Sequence, residues 1–223
     1  MIAVPTPAVA GLLLRAVPRP VRRDAHAAMQ ALAPWGAVSA QLVQDSGGGI
    51  ADHDVVVDGE PLQIPYRIAF PWPAAASTGG LTPRRRAVVA AWMSRSENTG
   101  LRQRAVRELF GVPEPWVVPF VVQLCGEYVY EIAADVDRFV RTELPQRPEM
   151  RAAYARFLRD NPHYLATTRH RAAVFRHLDH RWAHRYDPLR SYPQIAALDA
   201  LEALLVPGEP GDTASPPVPA VAS

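Results

Sequence analysis

From Glu114 to Ile132 the chain reads EPWVVPFVVQLCGEYVYEI. Apolar residues come first almost without interruption. A polar residue then enters at every fourth place: Gln123, Glu127, Glu131 and, just beyond the stretch, Asp135. Val118, Val121, Cys125, Tyr128, Ile132, Val136 and Phe139 recur every three or four residues, the spacing of a helix face and not of a strand. The pattern predicts one helix of roughly 25 residues, ~37 Å long, beginning near Trp116. Pro119 would fall in its first turn, where amides have no intrahelical partner.

On that helix Gln123, Glu127, Glu131, Asp135 and Arg138 form a single narrow stripe while the other faces are apolar, so the helix is expected to be a central, mostly buried spine. Acids spaced i,i+4 repel one another. A partner is therefore expected in the Arg row of the preceding helix (Arg102, Arg104, Arg107) or in the Arg-rich segment at 169–185, with Glu131 opposite Arg107 as one specific pairing. A stripe pointing at water fits the pattern equally well, because exposed ion pairs contribute only ~0–1 kcal/mol. Metal ligation by helix-borne carboxylates calls for a Glu-x-x-His pair, which the sequence lacks.

Elsewhere the punctuation is clear from residue 81 onward. Thr82 is a candidate N-cap with Pro83 at the first helical position, predicting a helix to about Ser96. ENTG interrupts, and Leu101 to Phe110 forms a second helix stopped by Gly111 and Pro113. Further helices are expected from Pro148 to Asn161, over about 163–186, and over about 193–205, the last with Ile195, Leu198, Leu201, Leu204 and Leu205 on one side. In the first third, a short helix is expected from Arg23 to Leu32, AVSAQLVQ and IPYRIAF look extended, and DVVVDGEPLQI carries a hairpin signal in Asp58-Gly59. The expected organisation is an N-terminal region with a β-hairpin (1–80) packed on a helical domain (81–206), followed by a Pro-rich disordered tail (207–223). The fold class is therefore mainly α, a helical stack or bundle with a small β-hairpin region.

Composition adds bounds. A chain of 223 residues, 48% hydrophobic, is long and apolar enough for one cored domain. The net charge of +2 implies no general attraction to nucleic acid or membrane. Every basic residue is Arg, and none is Lys. Together with abundant Ala and Pro this reads as coding bias, so the choice of Arg over Lys carries little information. The lone Cys125 cannot form an internal disulfide, which suits a reducing cytoplasm, and its apolar neighbours suit a buried filler. The apolar patch near the start has no preceding basic residue and is interrupted by Pro5 and Pro7, unlike a secretory signal. No apolar run approaches the ~18 residues of a membrane span.

Two candidate binding features stand out. The segment near 163–190 carries Arg169, Arg176, Arg181 and Arg185, a possible basic face for a phosphate backbone. It also carries His170, His177, His180 and His184 on one side, where a metal or plain solvation is chemically consistent. Asp52, His53 and Asp54 are consecutive, but a strand would send the aspartates and the histidine to opposite faces. No phosphate loop, nucleophile elbow, dinucleotide fingerprint or zinc pattern is present.

The stretch 81–132 resembles a group of uncharacterised bacterial proteins with a G-x-R-Q … PW-V-PF-x-x-QL-x-GEYV-x-EI pattern, carried here by Gly100, Arg102, Gln103, Pro115, Trp116, Pro119, Phe120, Gln123, Leu124, Gly126, Glu127, Tyr128, Val129, Glu131 and Ile132. At fold level the two-helix layout is similar to a HEAT- or armadillo-type pair, which implies partner binding. The sequence-based expectation is thus a non-catalytic helical module with a protein partner, no cofactor and no catalytic residues. Nucleic-acid binding through the Arg-rich 163–190 helix is the alternative. Nothing in the sequence sets an oligomeric state.

Overall fold

The computed structural model describes residues 7–32, 39–41, 54–69, 78–178 and 192–206. The fold is mainly α-helical with small antiparallel β pairings. Two helices open it, α1 (Pro7–Arg15) and α2 (Arg22–Leu32). The first was not legible in the sequence, where its Pro-flanked apolar patch resembled no element.

Strands β2 (Asp54–Val57) and β3 (Glu60–Gln63) form the expected hairpin. Asp58 and Gly59 both have positive φ, 48° and 80°, as a tight primed turn requires. Val55 and Val57 point inward while Asp54 and Val56 point out, the period of two that sets register. Strands β1 (Ser39–Gln41) and β4 (Arg67–Ala69) pair separately.

The hairpin is held from two sides. Glu60 accepts from the Arg19 backbone N–H at 2.9 Å and pairs with Arg22 at 3.3 Å. On the other side Asn161 acts as a surrogate strand: the Val56 N–H donates to Asn161 Oδ1 at 2.7 Å, and Asn161 Nδ2 donates to the Val56 carbonyl at 2.8 Å.

Helix α3 (Pro83–Met93) starts as expected, with the Thr82 hydroxyl accepting from the Arg85 N–H, but ends three residues earlier than Ser96. Residues after it turn back to hold β4: the Ile68 N–H donates to the Arg95 carbonyl at 2.9 Å, and the Glu97 N–H donates to the Ile68 carbonyl at 3.2 Å. Asn98 then caps α4 (Thr99–Leu109).

The predicted single spine is not found. A 3-10 turn (Pro115–Val117), a short α5 (Val118–Val122) and a second 3-10 turn (Gln123–Gly126) lead to an extended Glu127 and Val129, and α6 (Tyr130–Arg138) starts afresh. A five-residue π turn (Phe139–Glu143) follows. The segment is helical and buried, as its period required, but it is broken at 127–129. The break has two visible causes. Gly126 lies so close to α8 (Pro162–Leu178) that an added Cβ would sit 3.2 Å from the Thr168 carbonyl. One residue on, Glu127 must leave the helical path to meet buried guanidinium groups.

The C-terminal elements close the core. Helix α7 (Pro148–Asp160) ends at Asn161, α8 follows directly, and α9 (Pro193–Glu202) packs on α6. Leu198 and Leu201 are fully buried, with Ile195, Leu204 and Leu205 partly so. Phe139 joins Phe110 in a parallel stack at 4.3 Å and also contacts Tyr154, giving the centre an aromatic girder. The tail from 207 lies outside the described residues.

Candidate functional site: an arginine-lined cleft at Glu127

Four segments converge where the spine breaks. Strand β4 brings Arg67, with Tyr66 just before it. The turn after α3 brings Arg95, placed beside Arg67 because Ile68 and Ser96 form a parallel bridge. Helix α4 contributes Arg102 and α8 contributes Arg171. Glu127 lies at the centre and is 3% exposed.

The carboxylate is heavily engaged. Arg67 Nη2 sits 3.1 Å from Glu127 Oε2 and Arg102 Nε is 3.1 Å from the same oxygen, the latter off the line that a hydrogen bond requires. The Tyr128 N–H donates to Oε1 at 3.0 Å. Arg102 Nη1 also donates to the Ser96 and Glu97 carbonyls, at 2.7 and 3.1 Å. Gln194 on α9 donates to the Glu127 carbonyl at 2.9 Å. The bent backbone is thus tied from α4, β4 and α9 at once.

Arg95 is different. Its residue is 1% exposed, yet Nε and Nη2 meet no hydrogen-bond partner among the described residues. These two atoms form the side-on edge of the guanidinium, two parallel N–H groups shaped to hold two oxygens. Burial, with Arg67 repulsion second, pulls this guanidinium down to about 9. Arg67, Arg95 and Arg102 against the one carboxylate of Glu127 leave an excess of positive charge here, and Arg171 adds a further guanidinium to the lining.

The cluster borders a narrow cleft of about 90 Å³ lined by Tyr66, Arg67, Arg95, Gln123, Gly126, Glu127, Tyr128, Arg171 and Phe175. The volume suits a single oxyanion and falls short of the ~300–1,000 Å³ of sites for drug-sized ligands. Aromatic rings brace the cations: Arg67 and Arg171 lie 4.7 and 5.9 Å from the Tyr66 ring centre, and Arg102 lies 5.8 Å from that of Tyr128.

The residues singled out from sequence are dispersed by the break. Gln123 and Glu127 are buried at the cleft, whereas Glu131 is exposed on α6. Asp135 is buried and accepts from Gln103 Nε2 and Arg107 Nε, both at 2.8 Å. Arg107 therefore faces Asp135 and not Glu131. On α8, Arg169 is bound by Asp199 at 2.8 Å and Glu202 at 2.7 Å, while Arg176, His170 and His177 are exposed. Arg181, Arg185, His180, His184, Asp52 and His53 lie outside the described residues. Cys125 is fully buried, and burial pushes its thiol up to about 12. Among the described residues no three His, Cys, Asp or Glu side chains cluster as metal ligands, and no helix is long and apolar enough to cross a membrane.

Sequence reasoning missed Arg67 and Arg95, and read Arg171 only as part of the Arg-rich 163–190 helix offered to a phosphate backbone. A signal was present: Arg67 interrupts the apolar IPYRIAF, and Arg95 closes the apolar run of α3. An arginine embedded among residues that must be buried is informative even where Arg itself is overused.

Comparisons with protein families, curated proteins and solved structures found no match.

Proposed function

We propose that this protein binds a small phosphate-type anion in the cleft formed by Arg67, Arg95 and Arg171. The observation that carries the reading is the side-on edge of Arg95, buried with two donors that meet no partner among the described residues. A buried charged group without a partner is costly, and proteins pair such groups. An oxyanion would accept from both donors and neutralise the local excess. The net charge of the cluster favours a dianion over a single carboxylate. Arg, Gln and aromatic side chains offer recognition chemistry, and the carboxylate in the lining, Glu127, is taken up by Arg67 and Arg102, so a binding role fits better than catalysis.

The other readings have less support. Among the described residues the exposed large apolar side chains, Val56, Tyr128, Val174 and Val206, sit on four different segments, which does not favour a broad protein-docking patch. Arg169, one residue of the suggested nucleic-acid face, already has two carboxylate partners.

Titration calorimetry with inorganic phosphate tests the proposal, alongside melting curves. Wild type should bind and gain thermal stability as ligand binding demands. Arg95→Met should remain folded, be at least as stable as wild type without phosphate, and lose the response. Absence of any phosphate effect on wild type at millimolar concentration would sink the proposal.

A further inference from the structure

The lining of the cleft offers chemistry that an anion alone would leave unused. Of the nine lining residues three are aromatic, Tyr66, Tyr128 and Phe175. Tyr66 is committed to Arg67 and Arg171. Tyr128 is 50% exposed, the largest of the exposed apolar side chains among the described residues, although it adjoins the buried charges of Glu127 and Arg102. Its position is fixed at both ends. The backbone N–H is held by Glu127, and the ring lies against Arg102 and 6.0 Å from Phe175 at a tilt of 56°. The gap between Tyr128 and Phe175 is too small for a ring to enter between them. The exposed part of Tyr128 is the surface left for stacking.

A cleft of about 90 Å³ takes the phosphoryl group alone, so the organic part of any ester must leave past this rim. Resting on the anion-binding reading above, we infer that the ligand is a phosphate monoester carrying a flat ring, with the phosphoryl group on Arg95 and the ring stacked on Tyr128. Stacking on an aromatic side chain tolerates many ring types. An aryl phosphate and a nucleoside monophosphate share this chemistry and differ in the spacing between ring and phosphorus.

Calorimetry on the full chain with inorganic phosphate, glycerol 3-phosphate, phenyl phosphate, adenosine monophosphate and adenosine separates the cases. At least one ring-bearing ester should bind about tenfold or more tighter than glycerol 3-phosphate, the order that base–aromatic stacking supplies. Which ester wins identifies the spacing. Tyr128→Ala should bring that ester down to the level of glycerol 3-phosphate on the same variant, and Tyr128→Phe should retain the difference. If phosphate binds and neither ring-bearing ester exceeds glycerol 3-phosphate, the ring inference fails and anion binding stands. If no phosphate compound binds, or if adenosine binds as tightly as its monophosphate, the anion reading itself fails.

Discussion

Arg102 Nε lies 3.1 Å from Glu127 Oε2, and both residues are almost wholly excluded from water. Arg67 reaches the same carboxylate from a strand 60 residues earlier in the chain. One acid thus holds two cations and lies close to a third. Its contribution is structural as well as electrostatic, because the backbone must leave the helical path to deliver it.

Glu127→Gln should therefore be strongly destabilising. The amide keeps the shape but leaves Arg102, Arg67 and Arg95 without a counter-charge. Loss of one partner from a buried pair typically costs about 3–5 kcal/mol. Urea unfolding at neutral pH would measure it, and a loss under about 1 kcal/mol would show that solvent already screens the cluster.

Arg95 should impose a specific pH dependence. Its guanidinium is pulled down to about 9 by burial and by Arg67, with Arg102 acting in the same sense and Tyr164 and Glu127 opposing. Between about 9 and the ordinary arginine range above it, the unfolded chain holds more protons at this residue than the folded one. Stability therefore rises with pH across that window from this group, and the penalty is fully present below it. The stability advantage expected of Arg95→Met should accordingly shrink above pH 9. A bound anion restores the charge, so phosphate affinity should be flat from about pH 8. Above 9 it should fall, approaching tenfold per pH unit. An affinity unchanged to pH 10.5 would separate the anion from Arg95.

Asn161 should behave as a clamp. Its side chain satisfies both backbone groups of Val56 and also donates to the Phe157 carbonyl at 2.8 Å. Asn161→Ala leaves these groups with fewer partners at a partly buried edge, and a loss of about 2–4 kcal/mol is expected. Hydrogen exchange at residues 54–63 should accelerate with it. Protection equal to wild type would mean that the hairpin is held elsewhere.

The pairing of α4 with α6 is open to a double-mutant cycle. Asp135 with Arg107 should show coupling of ~0.5 kcal/mol, modest because the Arg107 side chain is 55% exposed. Glu131 with Arg107 should show none. The reverse ranking would revive the straight acidic stripe that the periodicity alone suggested.

The sequence by itself determined the elements whose causes are local. Asp58-Gly59 specifies its hairpin because the turn needs positive φ, and Thr82-Pro83 starts α3 because a hydroxyl and a fixed φ suit a first turn. The apolar period from Val118 to Phe139 correctly announced a buried helical segment and a mainly α fold. Only the tertiary structure decided that this segment breaks at Glu127, and with it the whole cleft. Helical periodicity records which side chains must be buried but not what waits in the interior. Here Arg102 and Arg67 wait there, and burying a carboxylate against them outweighs the hydrogen bonds that a continuous helix would have kept. The guanidinium groups come from strand, turn and two helices far apart in the chain, so no spacing could have predicted their meeting.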